Sequence, residues 1–165
     1  MASALHFIAA LCLTSGLWIR ANAHGETQSD NCCETCPPGW TAFGHHCYMF
    51  HHSEKQWADA ESFCTSLGGN LASLHTTAEY KFLRELIHRV TGSHKVTWVG
   101  GNDAAKERVW LWSDGSKFDF KGWAKREPNN SGGKENCMEI NFRGKDYVND
   151  SNCHEKRSFV CGKHL

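Results

Sequence analysis

Five side chains near the end of the chain bring the oxygen atoms that a hard divalent cation requires. Glu127, Asn129 and Glu135 sit within one polar stretch, and Asn149 and Asp150 follow as an adjacent pair. Three carboxylates and two amides are the ligand class that calcium takes in preference to softer metals, and no thiolate is needed. Pro128 separates Glu127 from Asn129 and restricts the backbone; a cis bond before it would aim both neighbouring side chains toward one point. The same residues allow a catalytic alternative, with Glu127 and Glu135 as two carboxylates flanking a glycosidic bond. The sequence otherwise holds no nucleophile elbow, no His-Glu-x-x-His and no phosphate loop. These residues therefore point to a binding protein that is not an enzyme.

Residues so far apart need a folded scaffold to bring them together, and the hydrophobic pattern describes one. Trp40 to Phe50 reads as a hairpin turning at Gly44. Ser53 precedes Gln56, and Thr76 precedes Glu79, by the spacing of a capping box, which predicts the starts of two helices. Trp57, Ala60, Phe63, Cys64 and Leu67 mark the core face of the first, which stops at Gly68-Gly69. Tyr80, Leu83, Leu86, Ile87 and Val90 mark that of the second, which ends near Gly92. Beyond Gly92 the pattern becomes strand-like, at Val96 to Val99, Val109 to Trp112, Cys137 to Phe142, Tyr147-Val148 and Ser158 to Cys161. Lys121 to Asn136 carries little periodic apolar content and many polar oxygens. It reads as a long surface loop, and such loops on small scaffolds are frequently functional.

A chain of 165 residues fits one domain. Its 18 basic and 18 acidic residues leave no net field to hold a polyanion, which argues against nucleic acid as a partner. Leu5 to Trp18 is mostly apolar and is followed by Ala21-Asn22-Ala23, a small-x-small cleavage pattern. Residues 1–23 are accordingly expected to be a signal peptide, residues 24–35 a flexible arm, and residues 36–165 the folded domain of a secreted, extracellular protein. No later stretch reaches ~18 consecutive apolar residues, so no transmembrane segment is expected. Export exposes the eight cysteines after residue 23 to an oxidising compartment, where an even set implies disulfides. The sequence by itself permits about 105 pairings of eight cysteines.

The ordered set of motifs resembles the C-type lectin domain family. It comprises the hairpin cysteines, two helices, Trp98-Val99-Gly100-Gly101, Glu127-Pro128-Asn129, Glu135 shortly before Cys137, Asn149-Asp150 before Cys153, and Phe159-Val160-Cys161. The resemblance runs from about Cys36 to the last residue, with a layout nearest to short secreted fish lectins and type II antifreeze proteins. It implies an α+β fold of two helices, two small antiparallel sheets and a long calcium-binding loop, stapled by Cys36–Cys47, Cys64–Cys161 and Cys137–Cys153. Cys32 and Cys33 are left over and are candidates for interchain bonds in a disulfide-linked homo-oligomer. The resemblance further implies that Glu127, Asn129, Glu135, Asn149 and Asp150 hold Ca2+ and also hydrogen-bond two neighbouring hydroxyls of a bound sugar. In that family the order Glu-Pro-Asn goes with mannose, fucose or glucosamine-type sugars and Gln-Pro-Asp with galactose, so a mannose-type preference is expected.

Some positions depart from the family pattern. Val148 stands where a tryptophan is usual, at a core position. An auxiliary calcium site would draw on Asp103, Glu107, Asn130, Glu135 and Asn136, with amides at two places where acids are common; fewer negative charges weaken such a site. Asn129-Asn130-Ser131 and Asn149-Asp150-Ser151 match the glycosylation pattern and are expected to stay unmodified, since a glycan there would block the ligands. The pairs His45-His46 and His51-His52 read as exposed polar residues rather than a zinc site or pH switch, because no companion ligand spacing appears. Cys33-Glu34-Thr35-Cys36 has a redox spacing, yet structural bonding is expected there. Trp123 is a candidate to flank the sugar. The rival function on the same scaffold is a non-sugar interaction protein, either a toxin or an ice binder.

Overall fold

The structure is a computed structural model and describes residues 35–165. The expected signal peptide, nearly all of the arm, and Cys32 and Cys33 lie outside the described residues. The hairpin forms as β1 (Thr41–Phe43) and β2 (His46–Lys55), in the register Thr41↔Tyr48, about a left-handed Gly44. β2 is longer than the hairpin pattern suggests and carries Ser53 within it. Helix α1 (Trp57–Ser66) therefore begins at Gln56 with no side-chain cap, and the capping box expected at Ser53 and Gln56 does not form. The reason is tertiary: β2 pairs with the last strand as far as Lys55↔Arg157, and that ladder overrides the local signal.

After β3 (Asn70–Leu71) comes α2 (Thr77–Thr91), which keeps its local grammar. The Thr76 hydroxyl accepts from the Glu79 N–H at 3.1 Å, and the Thr76 N–H donates to the Glu79 carboxylate at 2.7 Å. Gly92, left-handed, ends the helix. Leu83, Leu86 and Ile87 are buried, whereas Val90 at the end of the expected stripe is exposed.

The remaining strands are β4 (Thr97–Asn102), β5 (Leu111–Trp112), β6 (Cys137–Ile140), β7 (Val148–Ser151) and β8 (Arg157–His164). They make two antiparallel groups, β1, β2, β8 and β3 in one, and β5, β4, β6 and β7 in the other. The two groups are not separate, because β4 pairs parallel with β8 at Thr97↔Ser158 and Trp98↔Phe159 and joins them into one mixed sheet. Small polar residues line this seam. The Thr97 and Ser158 hydroxyl oxygens lie 3.0 Å apart, and Ser158 also donates to the Val96 carbonyl at 2.8 Å. At Gly100 the backbone runs so close to β3 that a Cβ would stand 2.5 Å from the Leu71 carbonyl oxygen, which accounts for glycine in the Trp-Val-Gly-Gly run.

Two apolar clusters hold this frame. One packs Leu83 and Ile87 of α2 against Val99, Met138, Ile140 and Val148, so the valine at the family's tryptophan position fills core space. The other gathers Ala60, Leu71, Trp98 and Phe159 around Cys64 and Cys161. The three disulfides are Cys36–Cys47 across the hairpin, Cys64–Cys161 between α1 and β8, and Cys137–Cys153 beside β7. His45 and His52 are exposed, but His51 is packed between the rings of Phe63 and Phe159, at 4.6 and 4.8 Å, and burial pulls its pKa down. Among the described residues no helix is long and apolar enough to cross a membrane.

Candidate functional site

β6 and β7 run antiparallel with Glu139 opposite Asn149 and Met138 opposite Asp150, so the strand pairing delivers the Asn-Asp pair to one edge of the sheet. The long loop before β6 returns to the same edge. Its Glu127–Pro128 bond is cis, and Asn130 and Arg126 have left-handed backbones. Glu127, Asn129, Glu135 and Asn149 line one cavity of about 470 Å3. Asp150 is buried at the base of the loop, where its carboxylate accepts the Asn129 N–H at 3.1 Å and the Asn130 N–H at 2.7 Å. These two backbone donors offset the cost of taking a carboxylate out of water and tie the loop to β7.

Asn149 is equally constrained. Its Nδ2 donates to the Glu139 carboxylate at 3.1 Å and to the Asp150 carbonyl at 2.6 Å, which leaves Oδ1 as the atom available to a ligand. An N-glycan would be attached at that same buried Nδ2. Glu139 is itself fully buried and is held by the Arg157 guanidinium at 3.1 Å. Burial pushes its carboxyl pKa up, while Arg157 and Asn149 pull it down. Glu139 and Arg157 thus position a candidate ligand, and sequence reasoning missed both. The available signal was a charged residue inside an apolar strand run, Cys137 to Ile140.

The electrostatics of the cavity suit a cation. Glu127 Oε2 is buried with no hydrogen-bond partner. Burial raises the Glu127 pKa, and the neighbouring Asp150 and Glu135 carboxylates raise it further. Burial also raises that of Glu135, opposed by the Ser131 N–H, which donates to it at 2.8 Å. A mutually repelling, partly desolvated oxygen set is what a calcium ion would satisfy. Among the described residues no three His, Cys, Asp or Glu side chains cluster closely enough to hold a metal by themselves. The amides of Asn129 and Asn149 would complete the set.

The residues of the expected auxiliary site are bonded to one another. Asp103 is buried and accepts the Asn136 amide at 2.9 Å and the Arg108 N–H at 2.7 Å. The Asn130 amide donates to Glu107, and its Oδ1 accepts the Glu135 N–H at 3.0 Å. With their NH2 groups turned on the two carboxylates, these amides serve as hydrogen-bond donors and add no anionic oxygen. Trp123 does not reach the cavity; it packs on Trp110 at 4.6 Å and on Phe120 at 6.0 Å. The aromatic rings beside the cavity are Phe142 and Tyr147, and Arg143 and Lys145 stand with them.

Fold and site together define a disulfide-stapled α+β domain that presents an oxygen-lined cavity at the β6–β7 edge. The Lectin C-type domain family model matches residues 53–163. Over 165 residues, covering all of both chains, the protein is 46% identical to the galactose-specific lectin nattectin of Thalassophryne nattereri. It is 52% identical over 118 residues to ladderlectin of Oncorhynchus mykiss, covering 72% of this chain and 62% of ladderlectin. Among solved structures, herring type II antifreeze protein superposes with a TM-score of 0.73 at 32% identity, covering 79% of this chain and 99% of that one. The chain belongs to the C-type lectin domain family.

Proposed function

We propose that the protein is a secreted, calcium-dependent lectin that binds mannose-type glycans at the cavity beside β7 and catalyses nothing there. The observation that carries this reading is the convergence of Glu127, Asn129, Glu135 and Asn149 on one cavity, with Asp150 beneath them and one Glu127 oxygen buried without a partner. These five side chains would hold the ion, which when bound offers positions for two neighbouring saccharide hydroxyls. The carboxylates accept from those hydroxyls, and the exposed Asn129 amide donates to them. Asn149, fixed through Nδ2, contributes Oδ1. Three disulfides agree with folding in an oxidising compartment. Cys32 and Cys33 would link chains into an oligomer, which raises avidity where one site binds weakly.

Two findings favour rival readings. Nattectin carries galactose specificity in its name, at 46% identity over the whole chain, whereas Glu127-Pro128-Asn129 has the order that accompanies equatorial 3- and 4-hydroxyls. The antifreeze neighbour supports ice binding on this scaffold, against which stand the charged residues Lys106, Glu107 and Arg108 beside the loop. A glycan array run with calcium and with chelator, together with a thermal-hysteresis measurement, separates all three. Chelator-sensitive retention of mannose, fucose or N-acetylglucosamine is expected. Retention of galactose alone would overturn the preference, and thermal hysteresis without sugar binding would overturn the lectin.

Calcium should raise thermal stability, because it binds the folded chain preferentially. At about 100 times Kd the gain is roughly 2.7 kcal/mol, on the order of 5 to 10 °C in Tm for a domain of this size. The gain should shrink as pH falls from 7 to 5. Without the ion, the raised pKa values of Glu127 and Glu135 make ionisation unfavourable in the folded chain, so their repulsion costs stability at pH 7 and acid relieves it. With the ion, the same carboxylates must be ionised, and protons compete. Scanning fluorimetry in calcium and in chelator reads the difference, and an increment equal at both pH values would count against these ligands.

A further inference from the structure

We propose that the cavity has a second wall that selects glycans bearing an anionic substituent, sulfate or carboxylate, through Arg143 and Lys145. The inference rests on the lectin reading above and names the class of glycan that the site prefers. Besides the candidate oxygen ligands, the cavity is lined by Phe142, Arg143, Lys145 and Tyr147. At about 470 Å3 it is of a size that takes drug-sized ligands, so an occupant on the oxygen side has neighbouring groups within reach of this wall.

The wall is a built turn. Asn141 and Arg143 both have left-handed backbones, at φ of 62° and 56°, a conformation that non-glycine residues adopt at a cost and that clusters at binding sites. Asn141 is fully buried and anchors the turn from below: its Oδ1 accepts from Arg84 at 2.8 Å and its Nδ2 donates to the Lys95 carbonyl at 3.1 Å. Backbone bonds close the turn on itself, from Gly144 N–H to the Asn141 carbonyl at 2.8 Å and from Lys145 N–H to the Phe142 carbonyl at 3.1 Å. The Arg143 guanidinium rests over the Phe142 ring at 4.9 Å, which places the charge on a rigid support.

Within the described residues, no carboxylate pairs directly with the positive charge of this wall. Asp146, the acid of the same turn, is drawn to the other side, where it pairs with Arg84 at 3.2 Å and accepts the Tyr80 hydroxyl at 2.5 Å. Among the described residues neither Arg143 nor Lys145 has an ion-pair partner, and both are exposed. The chain as a whole is neutral, so the two cations form a local feature and not part of a general basic field. A guanidinium and an ammonium side by side suit a sulfate or carboxylate, with the fork of arginine giving geometry and lysine a point charge. The apolar faces of Phe142 and Tyr147 flank the sugar ring that carries it.

The test compares a neutral mannose-type glycan with its 6-sulfated and sialylated counterparts, measured with the intact oxidised protein in calcium. Either anionic arm is expected to bind about 5- to 10-fold tighter than the neutral one, the scale of one or two exposed ion pairs. Which arm gains more identifies the substituent. Arg143→Gln with Lys145→Gln should bring the ratio of anionic to neutral affinity to about one. Independently of any variant, raising salt to about 1 M, where the Debye length is near 3 Å, should lower the wild-type ratio toward one. Equal affinity for all three glycans would overturn the anionic subsite and leave the lectin standing. So would an anionic preference that persists in the double variant or at high salt. Failure to retain any glycan in calcium would overturn the lectin reading and this proposal with it.

Discussion

Replacing Asn149 and Asp150 together by alanine is expected to abolish calcium-dependent sugar retention, a loss of at least ~100-fold, while the three disulfides and the sheet persist. Each side chain has two tasks. Asn149 supplies an oxygen to the cavity and is oriented by Glu139, which Arg157 holds in turn. Asp150 supplies negative charge beside Glu127 and receives the N–H groups of Asn129 and Asn130. The double variant therefore removes two candidate ligands and frees the loop from β7. Losing each of these two buried partners costs about 1 to 3 kcal/mol, against the ~5 to 15 kcal/mol of an ordinary domain. Asp150→Asn separates the two tasks. It keeps one oxygen acceptor and the side-chain shape but removes the charge and sets an NH2 against one of the two backbone N–H donors, so calcium affinity should fall sharply while the urea midpoint falls less than in the double variant. Unchanged retention of the double variant on a mannose resin would contradict the site assignment.

The parts of this site that could be read from the chain are those in which residue type alone reveals the chemistry. An oxygen-rich loop and an Asn-Asp pair offer the donor atoms a hard cation would take, and Thr76 with Glu79 starts a helix by contacts made within one turn. What could not be read depends on register. Glu139 looks like an error in an apolar strand until β6 and β7 are paired and Asn149 stands opposite it. Ser53 has the spacing of a cap but falls inside β2, whose end is held by Lys55↔Arg157, a pairing between residues about a hundred positions apart. The parallel β4–β8 seam joins what the alternation pattern describes as two sheets, since pairing between distant strands leaves no trace in local periodicity. Arg143 and Lys145 read as ordinary solvated charges. Only the turn that Asn141 anchors turns them toward the cavity.

Among substitutions distant from the cavity, Cys64→Ala with Cys161→Ala is expected to have the largest effect on stability, about 4 to 5 kcal/mol in urea denaturation. The bond closes a separation of 97 residues, against 11 for Cys36–Cys47 and 16 for Cys137–Cys153. In the chain-entropy model the long loop is worth ~4.7 kcal/mol and the hairpin loop ~2.8 kcal/mol. Both sulfurs are fully buried among Leu71, Trp98 and Phe159, so alanine leaves an apolar site slightly underfilled and adds to the loss. The consequence reaches the candidate site through the sheet. Cys161 lies on β8, β8 pairs with β4, and β4 pairs with β6, whose partner β7 carries Asn149 and Asp150. A fold near the lower end of ordinary stability would be left marginal, and saturating calcium should then restore about half the lost stability by mass action. A loss no greater than that of the Cys36→Ala, Cys47→Ala pair would show that loop entropy does not set the ranking. Calcium rescue of the Cys64→Ala, Cys161→Ala protein but not of its Asp150→Asn derivative would place the stabilising ion at the β7 edge.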